Sequence, residues 1–242
     1  MATSTTNARP EPLGVFGGTF DPVHLGHLRL AEEAAETLQL ERVIWIPAGR
    51  PPHRGAPATS AAQRLAMVER AIADNPRFQL DDAEVRAEAP SYSVLTLARL
   101  RAAWGAQRPL VLLLGADAWN GLTGWHRWRE LFELAHIAVA SRPGAALEQV
   151  PAELQHELQT RRINCAADLR QAPAGRILPY TISALDISAT SLRSRIARGA
   201  SVRYLMSPAV IAYIEMYGLY RPPAAAPGQG AGPHCGIIST EE

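Results

Sequence analysis

An unbroken apolar run near the middle of the chain is the feature that most limits how it can fold. The stretch "PLVLLLGAD" is apolar at every position from Leu110 to Leu114. A strand with one solvated face alternates apolar and polar side chains, so a run without alternation indicates burial on both faces, as in a parallel sheet. Similar runs, each read as a buried strand, are "LGVFGG" (residues 13–18), "RVIWIPA" (42–48) and "HIAVASR" (136–142).

Helical patterns separate these runs. From about Leu25, apolar side chains recur at helical spacing as far as Leu38. A second helix, "AAQRLAMVERAIADN", is expected to be capped by Thr59 or Ser60, and a third, "SYSVLTLARLRAAWG", to end at Gly105. Further helices are predicted in "LEQVPAELQHELQTRR", "SATSLRSRIARG" (stopped by Gly199) and "SPAVIAYIEMYGLY" (Pro208 in its first turn, Gly218 at its end).

Two weaker extended segments complete the pattern. They are "RFQLDDAEV" (residues 77–85) and "ILPYTISALDIS" (177–188), and "NCAADLRQAPAGR" between them is expected to be an irregular insertion. Strands that alternate with helices predict an α/β fold with a doubly wound, mostly parallel sheet. We expect a single domain over residues 13–220, with a disordered leader (1–12) and a disordered tail rich in Pro, Gly and Ala (221–242).

Composition excludes several classes of protein. The formal net charge of +1 gives no overall basic field, so non-specific nucleic-acid binding is not expected. The two cysteines, Cys165 and Cys235, form neither a disulfide framework nor a zinc spacing, and they fit a reducing cytoplasm. No apolar run approaches the roughly 20 residues of a membrane span, and the N-terminus lacks a signal-peptide core. An anion site must therefore be built locally.

The stretch that follows the first predicted strand has the features of such a site. Ligands of doubly wound sheets bind beyond the carboxyl ends of the strands. Gly17 and Gly18 allow a tight turn and close approach of the backbone to a ligand. His24 and His27 lie three positions apart at the start of the next helix, which places both rings on one face. The positive end of the helix favours an anion there, and two imidazoles can add donors to the same phosphate.

Two other interpretations of the histidine pair remain open at this point. A zinc site would need further ligands, and only Asp21, in the preceding turn, lies nearby. Alternatively, both histidines are satisfied side chains of the core or surface. Their place behind a Gly-Gly turn at a helix start favours the anion site.

A family resemblance supports that choice. "GGTFDPVHLGH" (residues 17–27) resembles the N-terminal signature of the nucleotidylyltransferase superfamily, with its H-x-G-H motif at His24 to His27. Five further stretches match in order: "PPHR" (51–54), "PSYS" (90–93), "GAD" (115–117), "GWHRW" (124–128) and "ISATSLR" (187–193). Together they resemble the bacterial nicotinate-nucleotide adenylyltransferases over residues 13–220. The resemblance implies a Rossmann-like nucleotidylyltransferase fold.

The resemblance also implies a reaction and a set of site residues. ATP and nicotinate mononucleotide would give deamido-NAD and pyrophosphate, with Mg²⁺ held mainly by the ATP phosphates and water rather than by a protein metal site. The implied catalytic residues are His24, His27 and Arg193. The implied ATP-binding residues are Gly17, Gly18, Thr19, Phe20, Gly115, Asp117, Ser188, Thr190 and Ser191. The implied residues for nicotinate mononucleotide are His53, Arg54, Ser93, Trp125 and His126.

The resemblance also implies individual roles, which the chemistry of the side chains suits. Asp117 would accept hydrogen bonds from the ribose, or would instead cap the next short helix. Trp125 would stack on the electron-poor pyridinium ring, and Trp128 is expected in the core. Backbone N–H groups near Ser93 and His126 would bind the nicotinate carboxylate, while His53 and Arg54 would hold the mononucleotide phosphate. The stretch "ISATSLR" departs from the family pattern at one position, because Ala189 stands where the family usually has Ser or Thr.

Other functions of the same fold remain possible from the sequence. The phosphate acceptor could be nicotinamide mononucleotide or phosphopantetheine, or the protein could bind a nucleotide without catalysis. Retention of His24, His27 and Arg193 favours an enzyme. No nucleic-acid or membrane partner is expected, and the chain could form a homo-oligomer.

Overall fold

The structure, a computed structural model, describes residues 10–52, 55–141 and 150–222. Its strands are β1 (Leu13–Gly18), β2 (Arg42–Pro47), β3 (Phe78–Leu80), β4 (Leu110–Gly115), β5 (His136–Ser141) and β6 (Ile177–Thr181). They form one sheet in the order β3-β2-β1-β4-β5-β6, and every neighbouring pair is parallel. The predicted doubly wound parallel sheet is confirmed.

Helices connect the strands, and those of nine residues or more lie where the sequence patterns predicted them. They are α1 (Leu25–Thr37), α2 (Ala61–Ile72), α3 (Ala83–Arg86), α4 (Ser93–Trp104), α5 (Ala116–Asn120), α6 (Leu131–Leu134), α7 (Ala152–Arg161), α8 (Ala189–Ala197) and α9 (Pro208–Met216). Ser60 caps α2, where its hydroxyl accepts a hydrogen bond from the Gln63 N–H at 3.2 Å. Gly105, with φ of 88°, ends α4 as expected.

Both weaker extended segments are shorter than predicted. β3 stops at Leu80, and α3 follows at once, with the Asp81 carboxylate accepting a hydrogen bond from the N–H of Ala83, the first residue of the helix, at 3.0 Å. β6 stops at Thr181, so the following residues lead into α8 outside the sheet. The stretch expected to be irregular contains a 3₁₀ helix, Ala166–Arg170. The predicted leader (residues 1–12) and tail (221–242) lie largely outside the described residues, which begin at residue 10 and end at residue 222.

The core lies on both faces of the sheet, which explains the unbroken run in β4. Val111 and Leu113 pack into one cluster, with α1, α2, α8 and α9, while Leu112 and Leu114 pack into the other, with α4 to α7. Trp128 belongs to the second cluster and is buried, as predicted. In the part of the chain that the structure describes, no helix is both long and apolar enough to cross a membrane.

The sheet order places one pair of strand ends at a switch point. β1 and β4 are neighbours, yet the chain leaves β1 toward β2 on one side and leaves β4 toward β5 on the other. A crevice forms where connections diverge in this way, beyond the carboxyl ends of the strands. Gly18 ends β1 and Gly115 ends β4, so the predicted ATP-binding glycines flank this crevice.

Candidate active site

The turn after β1 is shaped by one aromatic ring. A Cβ on Gly18 would lie 2.7 Å from the ring of Phe20, so only glycine fits beneath that ring. Phe20 has φ of 51° and is buried, and its ring meets the His27 ring edge-on at 5.1 Å. Among the described residues, no heavy atom lies within 4 Å of a Cβ built on Gly17. The turn therefore leaves space at Gly17, where a ligand can approach the backbone.

His24 and His27 form a stacked pair at the start of α1. His24 is the N-cap and His27 is the third residue of the helix. Their ring centroids are 3.7 Å apart with an interplanar angle of 28°, so the prediction that both rings share one face is confirmed. A Cβ on Gly26 would lie 3.0 Å from Nδ1 of His24, so the glycine of the H-x-G-H motif leaves room for the His24 ring.

The surroundings of the two rings indicate their protonation. Burial lowers the pKa of His24 from 6.5 to about 4, so this imidazole is neutral at pH 7. Nδ1 of His27 accepts a hydrogen bond from the His24 backbone N–H at 3.2 Å, so the N–H donor of the His27 ring is at Nε2. Each neutral ring offers one N–H donor. The pair can therefore donate hydrogen bonds to an anion, but a neutral His24 brings no positive charge.

Arg193, on α8, brings positive charge to the loop between β1 and α1 (residues 19–24), which we call the histidine loop. Nη1 of Arg193 donates to the backbone carbonyl of Asp21 at 2.8 Å, across 172 positions in the sequence. Nη2 of the same guanidinium donates to Oγ1 of Thr190 at 3.3 Å. Arg193 is half-buried, which rules out the alternative of a freely solvated arginine on a short helix. The structure thus brings together all three predicted catalytic residues.

Two backbone N–H groups at the helix starts of the site are already bonded within the protein. The Leu25 N–H, in the first turn of α1, donates to the Leu205 carbonyl at 2.9 Å. In α8, the Ser191 N–H donates to Oγ of the N-cap Ser188 at 3.2 Å. These groups satisfy the helix starts internally. Side chains, rather than these two N–H groups, are left to contact a phosphate.

The adenosine side lies at the end of β4. Gly115 is the N-cap of α5, and Asp117 is the second residue of that helix, so the prediction that Asp117 is the N-cap is wrong. Its carboxylate is exposed near the crevice, where it can accept hydrogen bonds from ribose hydroxyls. No described heavy atom lies within 4 Å of a Cβ built on Gly115, so the strand end is open to a ligand.

The predicted pyridine-binding residues come from two segments that touch. Ser93 is the first residue of α4, and the ring of the preceding residue, Tyr92, lies 4.3 Å from the ring of His126 at 31°. Trp125 is half-buried and packs against the second core cluster, so part of its indole is open to a stacking partner. His53 and Arg54 lie outside the described residues, so their placement stays a prediction.

Sequence reasoning missed Ser91, which joins two loops of the site. Its Oγ accepts hydrogen bonds from the N–H groups of Gly49 at 2.9 Å and Arg50 at 3.2 Å, and its N–H donates to the Arg50 carbonyl at 3.0 Å. The loop after β2 is therefore tied to the start of α4. The motif "PSYS" contained this residue, but only the contact shows what the hydroxyl does.

Arg64 was also missed, although its position on the apolar face of α2 was a signal. It is 1% exposed and donates to the carbonyls of Thr19 at 2.9 Å, Ala48 at 2.5 Å and Gly49 at 3.0 Å. Burial lowers the pKa of this guanidinium, and the nearby Asp21 carboxylate opposes the shift. Arg64 therefore ties the ends of β1 and β2 together beneath the crevice.

Comparison with known proteins agrees with this arrangement. The model of the cytidylyltransferase-like family matches residues 15–195. A protein of Dechloromonas aromatica named "Probable nicotinate-nucleotide adenylyltransferase" is 54% identical over 213 residues, which cover 87% of this chain and 98% of that protein. A protein of the same name from Pseudomonas fluorescens is 47% identical over 211 residues, covering 87% and 98%.

Solved structures show the same fold at low sequence identity. The nicotinic acid mononucleotide adenylyltransferase of Plasmodium falciparum complexed with NaAD has a TM-score of 0.63 at 15% identity, covering 87% of this chain and 97% of that one. Its complex with APC gives a TM-score of 0.60 at 16% identity, again covering 87% and 97%. With the matches in sequence, these findings show that the chain belongs to the nicotinate-nucleotide adenylyltransferase family, within the wider cytidylyltransferase-like family.

Proposed function

We propose that the protein transfers the adenylyl group of ATP to nicotinate mononucleotide, releasing pyrophosphate and forming deamido-NAD for NAD biosynthesis. One observation carries the proposal: Arg193 is held by the Asp21 carbonyl in the loop that presents the stacked pair His24 and His27. This arrangement suits a polyphosphate, because it combines one fixed cation with two preplaced donors. The names of the curated relatives support nicotinate mononucleotide as the acceptor.

The chemistry needs no protein base. The nucleophile is a phosphate oxygen of the mononucleotide, and a phosphate monoester with a second pKa of about 6 is mostly a dianion at pH 7. It attacks the α-phosphorus of ATP directly, and the bond from that phosphorus to the oxygen that bridges the α- and β-phosphates breaks, so this oxygen leaves with the pyrophosphate. The main obstacle is repulsion between two polyanions, so positioning and electrostatic stabilisation supply the catalysis.

Each residue of the site then has a defined task. His24 and His27 donate hydrogen bonds to the ATP phosphates, and Arg193 binds the β- and γ-phosphates and stabilises the departing pyrophosphate. The hydroxyls of Ser188, Thr190 and Ser191 add weaker phosphate contacts. Residues lining the turn and strand ends accept the rest of the nucleotide: Gly17, Gly18, Thr19, Phe20, Gly115 and Asp117.

A divalent cation fits this scheme as a companion of ATP. Among the described residues, no group of three His, Cys, Asp or Glu side chains could hold a metal ion. Mg²⁺ tolerates such a site, because it keeps several waters and binds phosphate oxygens readily. We therefore propose that Mg²⁺ enters with ATP and neutralises part of its charge.

The preference for nicotinate mononucleotide over nicotinamide mononucleotide would come from the side of the crevice opposite the phosphate-binding residues. The Trp125 indole face attracts the pyridinium ring, and backbone N–H groups at Ser93 and His126 donate to its carboxylate. An amide would present its own NH₂ group to one of those donors, so it should bind less well. His53 and Arg54 are proposed to hold the mononucleotide phosphate.

We also propose that the enzyme works in the cytoplasm on these small molecules. Self-association of the chain stays a prediction.

The proposal is tested by pyrophosphate release from ATP and Mg²⁺ with either nicotinate or nicotinamide mononucleotide as acceptor. We expect release with both and a kcat/KM at least about tenfold higher for the acid, the typical effect of one unpaired buried donor. Phosphopantetheine serves as a third acceptor and should give none. The absence of pyrophosphate with both mononucleotides would overturn the proposal.

A further inference from the structure

A buried carboxylate lies behind the histidine loop, and the reaction proposed above does not use it. Asp21 is 5% exposed, yet its two oxygens accept three hydrogen bonds. The donors are the Ala58 N–H at 2.7 Å, the Thr59 hydroxyl at 2.7 Å and the Tyr220 hydroxyl at 2.8 Å. A buried carboxylate with this many donors fixes the position of its own backbone. Asp21 therefore ties the loop after β1 to the start of α2 and to the chain beyond α9.

The backbone of the same residue holds the arginine of the site. The Asp21 carbonyl accepts the hydrogen bond from Nη1 of Arg193. An arginine side chain loses much rotamer freedom when it is held in one place, so a fixed acceptor lowers the cost of presenting it to a ligand. Movement of Asp21 would consequently move the guanidinium. The three hydrogen bonds to the Asp21 carboxylate and the one from Arg193 to the Asp21 carbonyl form a single connected network.

Tyr220 is the most distant member of this network. It lies beyond residues 15–195, the part matched by the family model, and its backbone is left-handed with φ of 64°, which is uncommon for a residue with a Cβ. Its hydroxyl is directed at Oδ1 of Asp21 and lies 3.9 Å from the sulfur of Met67. Burial raises the pKa of this phenol well above its usual value, so the hydroxyl stays protonated and donates throughout the working pH range.

We propose that Asp21 and Tyr220 are positioning residues that act through Arg193: Tyr220 locks the Asp21 carboxylate, and the Asp21 carbonyl aims the guanidinium at the ATP phosphates. This inference rests on the proposed adenylyl transfer. It assigns the chain after α9 a part in catalysis, although Tyr220 touches no reacting atom. Loss of the Tyr220 hydroxyl should lower kcat more than it changes KM for the mononucleotide, because the lock supports the transition-state contact.

The test compares Tyr220→Phe with a matched control, Tyr213→Phe. Tyr213 is buried on α9, its ring lies 4.6 Å from that of Tyr217 at a tilt of 45°, and it lies under the Arg70 guanidinium at 4.5 Å. We expect Tyr220→Phe to lower kcat about tenfold, as for one lost hydrogen bond to a charged group, with KM for nicotinate mononucleotide changed less than about twofold. Tyr213→Phe should leave both constants within about twofold. Equal kcat in the wild type and Tyr220→Phe would overturn the inference.

A double-mutant cycle shows whether Tyr220 acts through the arginine. With Arg193→Ala there is no guanidinium to aim, so adding Tyr220→Phe should slow single turnover by less than about twofold. A full tenfold effect in that background would show that Tyr220 acts by another route and would overturn the inference.

Measurements on the wild type separate this inference from the proposed function. If the wild type releases no pyrophosphate, the proposed reaction fails, and titration with ATP then tests the positioning by Tyr220 on its own. Weaker ATP binding by Tyr220→Phe than by the wild type would support the inference, and unchanged binding would overturn it.

Discussion

The two sides of the crevice are built in different ways. The phosphate side, residues 17–27 and 188–193, consists of two helix starts joined by the bond from Arg193 to the Asp21 carbonyl. The pyridine side, residues 49–52, 91–93 and 125–126, consists of loop segments that Ser91 and the contact of Tyr92 with His126 hold together. Helices anchored in the core fix donors precisely, whereas loops adapt to the molecule they select.

The difference suggests a division of labour. Fixed donors stabilise charge that develops in the transition state, so changes on the phosphate side should lower kcat. On the proposed function, the pyridine side would contact a part of the substrate that does not react, so changes there should raise KM for the mononucleotide. Each prediction below tests that division.

The largest effect is expected for Arg193→Ala on the phosphate side. The variant removes the guanidinium that is proposed to stabilise the leaving pyrophosphate, and kcat should fall about a thousandfold, as for other arginines that stabilise phosphoryl-transfer charge. Steady-state pyrophosphate release measures the change. Arg195→Ala on the same helix is a surface control and should stay near wild type. Similar losses in both variants would argue against a special role for Arg193.

Removal of one ring of the stacked pair should have the next largest effect. We expect His27→Ala to lower turnover at least about a hundredfold, in line with the loss of one transition-state donor. The melting temperature, measured beside the rate, shows whether the fold survives. Unchanged turnover with a lower melting temperature would show that the histidine is structural.

The pH dependence should reflect the substrate rather than His24. Since burial keeps the pKa of His24 at about 4, this ring stays neutral, and kcat/KM should fall about fivefold between pH 6 and 5 as the mononucleotide dianion is protonated. Stability falls in the same direction. The unfolded chain takes up protons on His24 and His136 near pH 6.5, whereas the folded protein resists them until about pH 4. Thermal melts at each pH separate the two effects, and a rate that follows only the melts would contradict this assignment.

On the pyridine side, Trp125→Ala should raise KM for nicotinate mononucleotide about tenfold and leave kcat within about threefold, the expected loss of one stacking and cation–π contact. Initial rates at varied mononucleotide and saturating ATP give both constants. Trp128→Phe is the matched control, because Trp128 is buried in the same segment and should affect stability instead. A loss in kcat alone for Trp125→Ala would break the division of labour.

The smallest effect is expected for Ser91→Ala, which releases the loop after β2 from the start of α4. KM for the mononucleotide should rise about fivefold, because three loop hydrogen bonds become one and each is worth only a modest amount. Ser91→Thr keeps the hydroxyl and should restore most of the affinity. Failure of threonine to rescue would indicate that size rather than hydrogen bonding matters at this position.

Much of the fold could be predicted because its signals are local. The apolar run of β4, the cap at Ser60 and the stop at Gly105 each depend on neighbours within a few positions. The shared face of His24 and His27 follows from helical spacing alone. The short end of β3 was missed because apolar and acidic residues compete there, and the start of α3 prevails.

The remaining features of the site depend on contacts between distant parts of the chain. The bond from Arg193 to Asp21 spans 172 positions, and that from Tyr220 to Asp21 spans 199. The hydrogen bond from the Leu25 N–H to the Leu205 carbonyl likewise joins residues 180 positions apart. Periodicity and propensity carry no information about such pairs, because packing of whole elements decides which side chains meet.

The division of labour is tested most directly by measuring kcat and KM for nicotinate mononucleotide in Arg193→Ala and Trp125→Ala side by side. The account predicts that Arg193→Ala loses about a thousandfold in kcat with KM within about threefold, while Trp125→Ala gains about tenfold in KM with kcat nearly unchanged. Loss of the same constant in both variants would contradict the account, because the two sides of the crevice would then act on the same step.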